Sequence, residues 1–514
     1  MQNQVIKKYY NCTKSFFLGI LPGMDNKVLQ EARKYEVSGE KQINCNERPL
    51  FHLSARTGWM NDPNGFVYFE GKYHLFYQYY PYGTFWGPMH WGHAISKDLL
   101  HWDYLPAALA PDSKNDREGC FSGSSLVTDE GRLALIYTGV RKNKSDKAKK
   151  VQIQCLALGD SDAIDFEKIK FAVIESEQVP EGCSIEDFRD PKVVRTADGN
   201  YILYAVNKNE EGKGQVLAYK SSDLKKWDYC GCLLKNDFGL GGMWECPDLF
   251  TLDGNAVLMM SAQEVEESET LDSGSIGLCL IGNYDESACR FTREKIIQID
   301  RGLDFYAQQT LEAPDGRHIM IGWLQNWDIC NYRIKNAKWF GQMSCPREIR
   351  IKDGLLLQEP VRELEQHRQN KKEFKALKIS DEKKDFPQLI GPGMDIIICL
   401  RKYDTNMSYF AVNLFEGNGH YARVYYDFVK GLAGIDRSHA GVKNAFLSER
   451  SCAYKIKGDE LELRLIVDRY SVEAFFGDGE LAMSMCIYDE NCGSGLSLEA
   501  CGSAEIDLIQ YEIS

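Results

Sequence analysis

From about residue 50 onward the chain is a succession of short β-prone runs interrupted by Gly, Asn, Asp and Pro. Examples are residues 65–68, 73–79, 134–137, 201–206 and 256–261. Strands of this length at this spacing imply a barrel, a sandwich or a propeller. A weak internal repeat bears on the choice. Ser96-Lys97-Asp98-Leu99-Leu100-His101-Trp102 returns as Ser221-Ser222-Asp223-Leu224-Lys225-Lys226-Trp227, with an Asp four positions before a Trp in both. Ser161-Asp162-Ala163-Ile164-Asp165-Phe166 is a degenerate third copy with Phe in place of Trp. Units too small to bury a core of their own favour blades around a shared axis. A common turn closed by an aromatic plug is the plainer reading, and a blade's outer edge needs the same feature.

At 514 residues the chain exceeds one compact core, so two domains are expected. Residues 1–47 read as an N-terminal arm with a short amphipathic helix, Val28, Leu29, Ala32 and Tyr35 falling at helical spacing. Residues 48–350 carry the short strands. Residues 351–390 turn charged and helix-compatible and read as a linker. Alternating patterns return over 391–514, where a two-sheet sandwich is expected.

A net charge of −14 repels nucleic acid and anionic membrane surfaces. Seventeen Cys, an odd number without a Cys-x-x-Cys pair, fit a reducing compartment, so a cytoplasmic location is expected. The apolar run 16–21 is too short for a membrane span and is closed by Pro22-Gly23. His90-x-x-His93 and Cys230-Gly-Cys232 lack the context of a metal site, so no metal is expected from them.

Three carboxylates stand in comparable settings, each at the start of a strand and beside or near a Pro. They are Asp62 in Gly58-Trp59-Met60-Asn61-Asp62-Pro63-Asn64-Gly65, Asp190 in Phe188-Arg189-Asp190-Pro191, and Glu245 in Trp244-Glu245-Cys246-Pro247-Asp248. A turn-forming role would explain Asp62 alone equally well. If blades surround an axis, however, successive innermost strands aim all three acids into one funnel. Glycoside hydrolysis needs such an arrangement, with a retaining pair of carboxyls roughly 5–5.5 Å apart.

These three segments, in this order, resemble glycoside hydrolase family 32, the family of invertases, sucrose-6-phosphate hydrolases and fructanases. Supporting matches are Tyr77-Gln78-Tyr79, the run from Trp86 to His93, Phe121-Ser122-Gly123-Ser124, Asp304-Phe305-Tyr306-Ala307, Gly322-Trp323, Pro346-Arg347-Glu348 and the run from Val467 to Glu473. The resemblance implies an all-β chain, a five-bladed β-propeller followed by a C-terminal β-sandwich. It implies a β-fructofuranosidase acting on sucrose, sucrose 6-phosphate or short fructo-oligosaccharides, with Asp62 as nucleophile, Glu245 as acid/base and Asp190 as transition-state stabiliser. Met60, Asn61, Gln78, Phe121, Ser122, Arg189 and Tyr306 are expected substrate contacts, and Trp59, Trp86 and Trp323 are expected either as stacking walls for the sugar or as core residues. Arg189 is expected to keep Asp190 ionised, and Trp244 and Met243 to give Glu245 apolar cover that raises its pKa.

Two carboxylates and water suffice for the reaction, so no cofactor is expected and a small sugar is the only partner implied. A fructosyltransferase differs only in which hydroxyl resolves the intermediate. An inverting arabinan-type enzyme would lack the Asn-Asp-Pro-Asn-Gly segment, and a non-catalytic sugar-binding propeller would have lost an acid. The basic loop with Arg141, Lys142, Lys144, Lys147, Lys149 and Lys150 reads mainly as a solvated charge run, with a phosphate subsite as the sharper alternative.

Overall fold

The computed structural model describes residues 26–389, 391–402, 406–441 and 447–514. The apolar run at 16–21 lies outside them. The first element is an α-helix, Lys27–Glu40, which begins where the Asn26 side chain accepts from Leu29 N at 3.2 Å. It runs beyond the expected 27–35, and its apolar stripe is not the expected one. Val28 and Tyr35 are exposed, whereas Leu29, Ala32, Arg33 and Glu36 are buried. Polar pairing seats the helix: Arg33 donates to Ala107 O and to Asp165, and Glu36 accepts from Ala107 N.

Five four-stranded antiparallel blades follow, opening with the innermost strands Gly58–Phe69, Gly119–Val127, Arg189–Arg195, Trp244–Leu252 and Tyr306–Glu312. Blade 1 is closed onto blade 5 by a short segment. Trp339–Phe340 pairs in parallel with Gly58 and Trp59, Gln342 bridges to Ser54, and Met343 bridges to Trp323.

The sequence repeat marks the hairpin between the third and fourth strands of blades 1 to 3. In blade 1 the Asp98 carboxylate accepts from Leu100 N and His101 N, Leu99 takes a left-handed φ of 65°, and the Trp102 indole donates to Leu99 O. In blade 3 Asp223 accepts from Lys225 N and Lys226 N, Leu224 has φ 64°, and Trp227 donates to Leu224 O. In blade 2 Ala163 takes φ 51° and the capping acid moves upstream to Asp160, which accepts from Ile164 N.

The expected linker at 351–390 is absent as such. Leu355–Pro360 completes blade 5, a 3₁₀ turn spans Arg362–His367, and Arg368–Asp385 is a long strand paired with the final strand Gly495–Ile513. Its charges had suggested a solvated connector, and they do face solvent, but on a sheet edge. Charged side chains and bulges on such a strand discourage pairing with another chain. The strand Gly495–Ile513 also pairs with Tyr409–Gly417 near its start and with Met394–Lys402 nearer its end. It thereby ties the two layers of the C-terminal β-sandwich around a core that includes Ile396, Val412, Leu465 and Leu498.

The propeller and sandwich meet over a buried ionic cluster. Arg347, from blade 5, donates to Glu473 at 2.6 Å, to Asp300 at 2.9 Å and to Ser484 at 2.8 Å. His52, from the segment leading into blade 1, is held between Asp468 and Glu473 at 2.8 Å each. The two carboxylates raise the imidazole to about 9 although burial opposes the charge. A second pin pairs Arg437 of the sandwich with Asp304 of the propeller.

Because His52 binds its proton more tightly folded than unfolded, its contribution is fully present below about pH 6.5 and is lost as pH rises through 9. The shift corresponds to about 3 kcal/mol. The urea midpoint is therefore expected to fall between pH 7 and 9.5, and His52→Ala to lower it at pH 7 and flatten that slope. An equal slope in the variant would assign the pH dependence elsewhere.

Candidate active site

Each innermost strand enters its blade with a fault in the pairing. In blade 1 Met60 pairs with Tyr79 and Pro63 with Tyr77, so Asn61 and Asp62 together face Gln78. In blade 3 Asp190 and Pro191 stand between the pairs Arg189–Val206 and Lys192–Tyr204. In blade 4 Cys246 and Pro247 stand between Glu245–Ser261 and Asp248–Met259. Blades 2 and 5 carry the same irregularity at Ser122 and at Ala307–Gln308. A bulge re-aims the side chains around it and has no amide donor to lose to proline. Asp190, Cys246 and Ala307 adopt left-handed φ values of 59°, 51° and 54°, a conformation that costs an L-residue about 1 kcal/mol or more.

The bulges bring the three acids together. The Cys246 thiol lies 3.9 Å from an oxygen of Asp62 and 3.9 Å from an oxygen of Asp190, so one sulfur touches carboxylates from blades 1 and 3. Asp190 also accepts from Cys246 N at 3.1 Å, and its own N–H donates to Thr138. Asp62 accepts from Ser122 Oγ at 2.6 Å and from Asn61 at 3.0 Å, and Asn61 is in turn fixed by the Trp59 indole at 2.7 Å. Glu245 accepts from Arg189 at 3.0 Å on one oxygen, and from Gln263 and Tyr306, both at 2.8 Å, on the other.

Three buried or largely buried carboxylates thus crowd together, with the Arg189 guanidinium bonded to Glu245 alone among them. Burial, reinforced by the negative charge of Glu245, lifts Asp62 to about 6 against the pull of its Ser122 and Asn61 hydrogen bonds. Burial raises Asp190 further, with Glu245 and Asp62 adding to it. Arg189 acts on Asp190 in the expected direction but is outweighed. Its hydrogen bonds go to Glu245 and Asp187 instead. The site therefore holds a proton near neutrality, shared among coupled groups.

Residues 52–360 match the model of the glycosyl hydrolases family 32 N-terminal domain, and residues 363–513 match the family's C-terminal model. The chain belongs to glycoside hydrolase family 32. It is 37% identical to a sucrose-6-phosphate hydrolase of Zymomonas mobilis over 86% of each chain. It is 36% identical to a raffinose invertase of Escherichia coli, covering 88% of this chain and 92% of that one. Among solved structures, the GH32 β-fructofuranosidase of Bombyx mori superposes with a TM-score of 0.81 at 30% identity, over 95% of this chain and 99% of that chain.

Within this family-32 funnel the expected contacts fall into two sets. Asn61, Ser122, Arg189 and Tyr306 bond directly to the acids, as above. Gln78 is buried and donates to Cys120 O, and Trp86, 46% exposed, meets Phe121 edge to face on the rim. Trp59, Met60 and Trp323 are buried as well and make no bond to the three acids. Trp59 stacks on Phe340 at 4.7 Å and tilts against Trp323, while Met60 packs in the core between blades 1 and 5. Trp244 and Met243 do not cover Glu245. Strand alternation sends the Trp244 indole into the apolar core shared by blades 3 and 4, where it donates to Leu240 O.

Gln263 and Thr138 went unnoticed in the sequence because neither stands in a distinctive motif, and only strand pairing brings them to the acids. His90 and His93 do not converge: His90 bonds to Pro88 O, and His93 bonds to His74.

The Ser122 hydroxyl is a specific restraint on Asp62. Ser122→Ala is expected to raise the Asp62 carboxyl above its value of about 6, by about one pH unit for a lost charge-assisted bond. Infrared difference titration of the carboxyl stretch, with Asp62→Asn to identify the band, measures it. An unmoved or lowered titration would contradict the assignment.

Proposed function

We propose that this family-32 enzyme is a retaining β-fructofuranosidase that releases terminal fructosyl units from sucrose-type substrates through a fructosyl–enzyme ester on Asp62. The observation that carries the proposal is the meeting of Asp62, Asp190 and Glu245 from three different blades. Asp62 attacks the anomeric carbon while Glu245 protonates the departing glycosidic oxygen. Glu245 then takes a proton from water as the water opens the ester. In this mechanism Asp62 attacks as the anion and Glu245 delivers the proton. Arg189, Gln263 and Tyr306 keep that carboxyl oriented, and Asp190 remains to hold fructose hydroxyls.

Relatives named for sucrose 6-phosphate and for raffinose leave two substrate classes within the reading. Plain fructosides are favoured here. Arg141, the cation best suited to a phosphate, is already bonded to Glu175 at 2.5 Å and to Asn115, while Lys149 and Lys150 pair with Glu186 and Glu118. A cytoplasmic location is part of the proposal and rests on the free thiols of the described cysteines, Cys120, Cys155 and Cys246 among those buried. No described helix is long and apolar enough to cross a membrane.

Release of glucose and fructose from sucrose, sucrose 6-phosphate and a short inulin-type oligomer tests the reading. Asp62→Ala is expected to lower kcat by at least about 10⁴-fold, and Glu245→Gln by about 10²–10⁴-fold, less for a substrate with a good leaving group. Activity of Asp62→Ala near wild type would overturn the mechanism. A large preference for the phosphorylated sugar, lost in Arg141→Ala, would overturn the substrate assignment alone.

A further inference from the structure

We propose that Asp98, His101 and His367 form a binding site for a divalent transition-metal cation of the zinc class, linking the outer hairpin of blade 1 to the turn that leads into the sandwich. One donor atom from each residue lies within 4.8 Å of the other two. Asp98 Oδ2 is 2.9 Å from His101 Nδ1 and 3.3 Å from His367 Nε2, and the two imidazole rings meet edge to face at 4.5 Å. Tetrahedral ligands at zinc–ligand lengths of about 2.0–2.1 Å stand ~3.3 Å apart, so the cluster needs only small side-chain movements to enclose an ion. Two imidazoles and a carboxylate are a common donor set for such a cation, with water in the fourth position.

The division of labour on Asp98 separates this site from ordinary turn chemistry. Its Oδ1 carries the turn, accepting from Ser96 Oγ, Leu100 N and His101 N. Its Oδ2 faces only the two histidines. The matching turn of blade 3 has the same Oδ1 bonds and the same left-handed leucine, yet carries Lys226 where blade 1 has His101. In blade 2 that position is Asp165, engaged by Arg33. The hairpin therefore folds without a histidine, and His101 is free to serve another purpose. His367 closes the 3₁₀ turn Arg362–His367, so an ion here would staple two segments far apart in sequence. The His101 side chain is 52% exposed, which leaves an entry path.

The site lies at the end of blade 1 opposite the funnel. The strand His90–Ser96 runs parallel to Gly58–Phe69, whose first residues carry Asp62, and the hairpin follows its far end. The cation is accordingly structural, and its removal should leave hydrolysis unchanged at moderate temperature.

The test is titration of the EDTA-stripped full chain with zinc chloride, reading bound zinc by equilibrium dialysis and the melting temperature in parallel. The wild type is expected to bind one zinc that His101→Gln and His367→Gln each weaken by roughly 10-fold or more, and to gain about 2–5 °C at saturating zinc. Glutamine can still donate to Asp98 but is a poor zinc ligand, so a metal-free melting temperature equal to wild type certifies that each variant is folded. Asp98→Asn, which keeps the capping oxygen, should behave likewise. Equal zinc binding by all three variants would locate the metal on thiols elsewhere and overturn the proposal, as would a wild type whose melting temperature zinc does not raise.

Discussion

Arg347, enclosed with no exposure between Glu473, Asp300 and Ser484, fixes how the propeller and the sandwich meet, and the approach to the funnel is fixed with it. The same Glu473 binds His52, and Asp468 accepts from the backbone of Leu50, Phe51 and His52, six or more residues before the strand that carries Asp62. An enclosed charge cluster gains little over a well-packed apolar one, because removing the charges from water is expensive. What it contributes is uniqueness. A guanidinium with five donors and an imidazole with two ring nitrogens can be satisfied together in very few relative positions of the two domains, whereas an apolar seam would tolerate sliding.

That rigidity supports a strained site. Bulges at the same place in all five inner strands, with left-handed backbone at Asp190, Cys246 and Ala307, amount to several kcal/mol of local cost. Such strain persists only when the surroundings over-determine it. The regular ladders that follow the bulges in blades 3 and 4 do so, together with the parallel closure of Trp339–Phe340 onto Gly58–Trp59. The packed rings of Trp59, Trp323 and Phe340 support Asn61 through the Trp59 indole, and Asn61 in turn bonds Asp62.

Much of this was legible in the chain because its signals are local. The Asp-Leu-x-x-Trp repeat is a turn with its own cap, φ and indole bond, so it reads identically in sequence and in space. The three acids were visible through their proline neighbours, which mark the bulges. Other features depend on partners that sequence does not pair. Arg189 looked like the companion of Asp190, its neighbour in the chain, but the bulge turns the two side chains apart and sends the guanidinium to Glu245 on the next blade. Trp244 looked like cover for Glu245 for the same reason, and strand alternation sends it to the opposite face. The charged run from Arg368 read as a connector because an exposed edge strand and a solvated linker have the same composition. Motifs around Arg347 and Glu473 were each visible, yet nothing in the sequence said that they bind each other.

The charge arithmetic of the funnel ties these threads to the chemistry. With Arg189 committed to Glu245, no cation among the described residues hydrogen-bonds directly to Asp62 or Asp190, and a proton or the substrate can relieve their mutual repulsion. In the proposed mechanism, forming an ester on Asp62 removes one negative charge from the crowd, and Asp190 is the group placed to meet positive charge developing at the anomeric carbon. Both steps lower the electrostatic cost that burial and the bulges impose on the free enzyme. The crowding of acids that looks unfavourable in the resting state is thereby relaxed along the reaction coordinate, which is the condition for binding the transition state more strongly than the substrate.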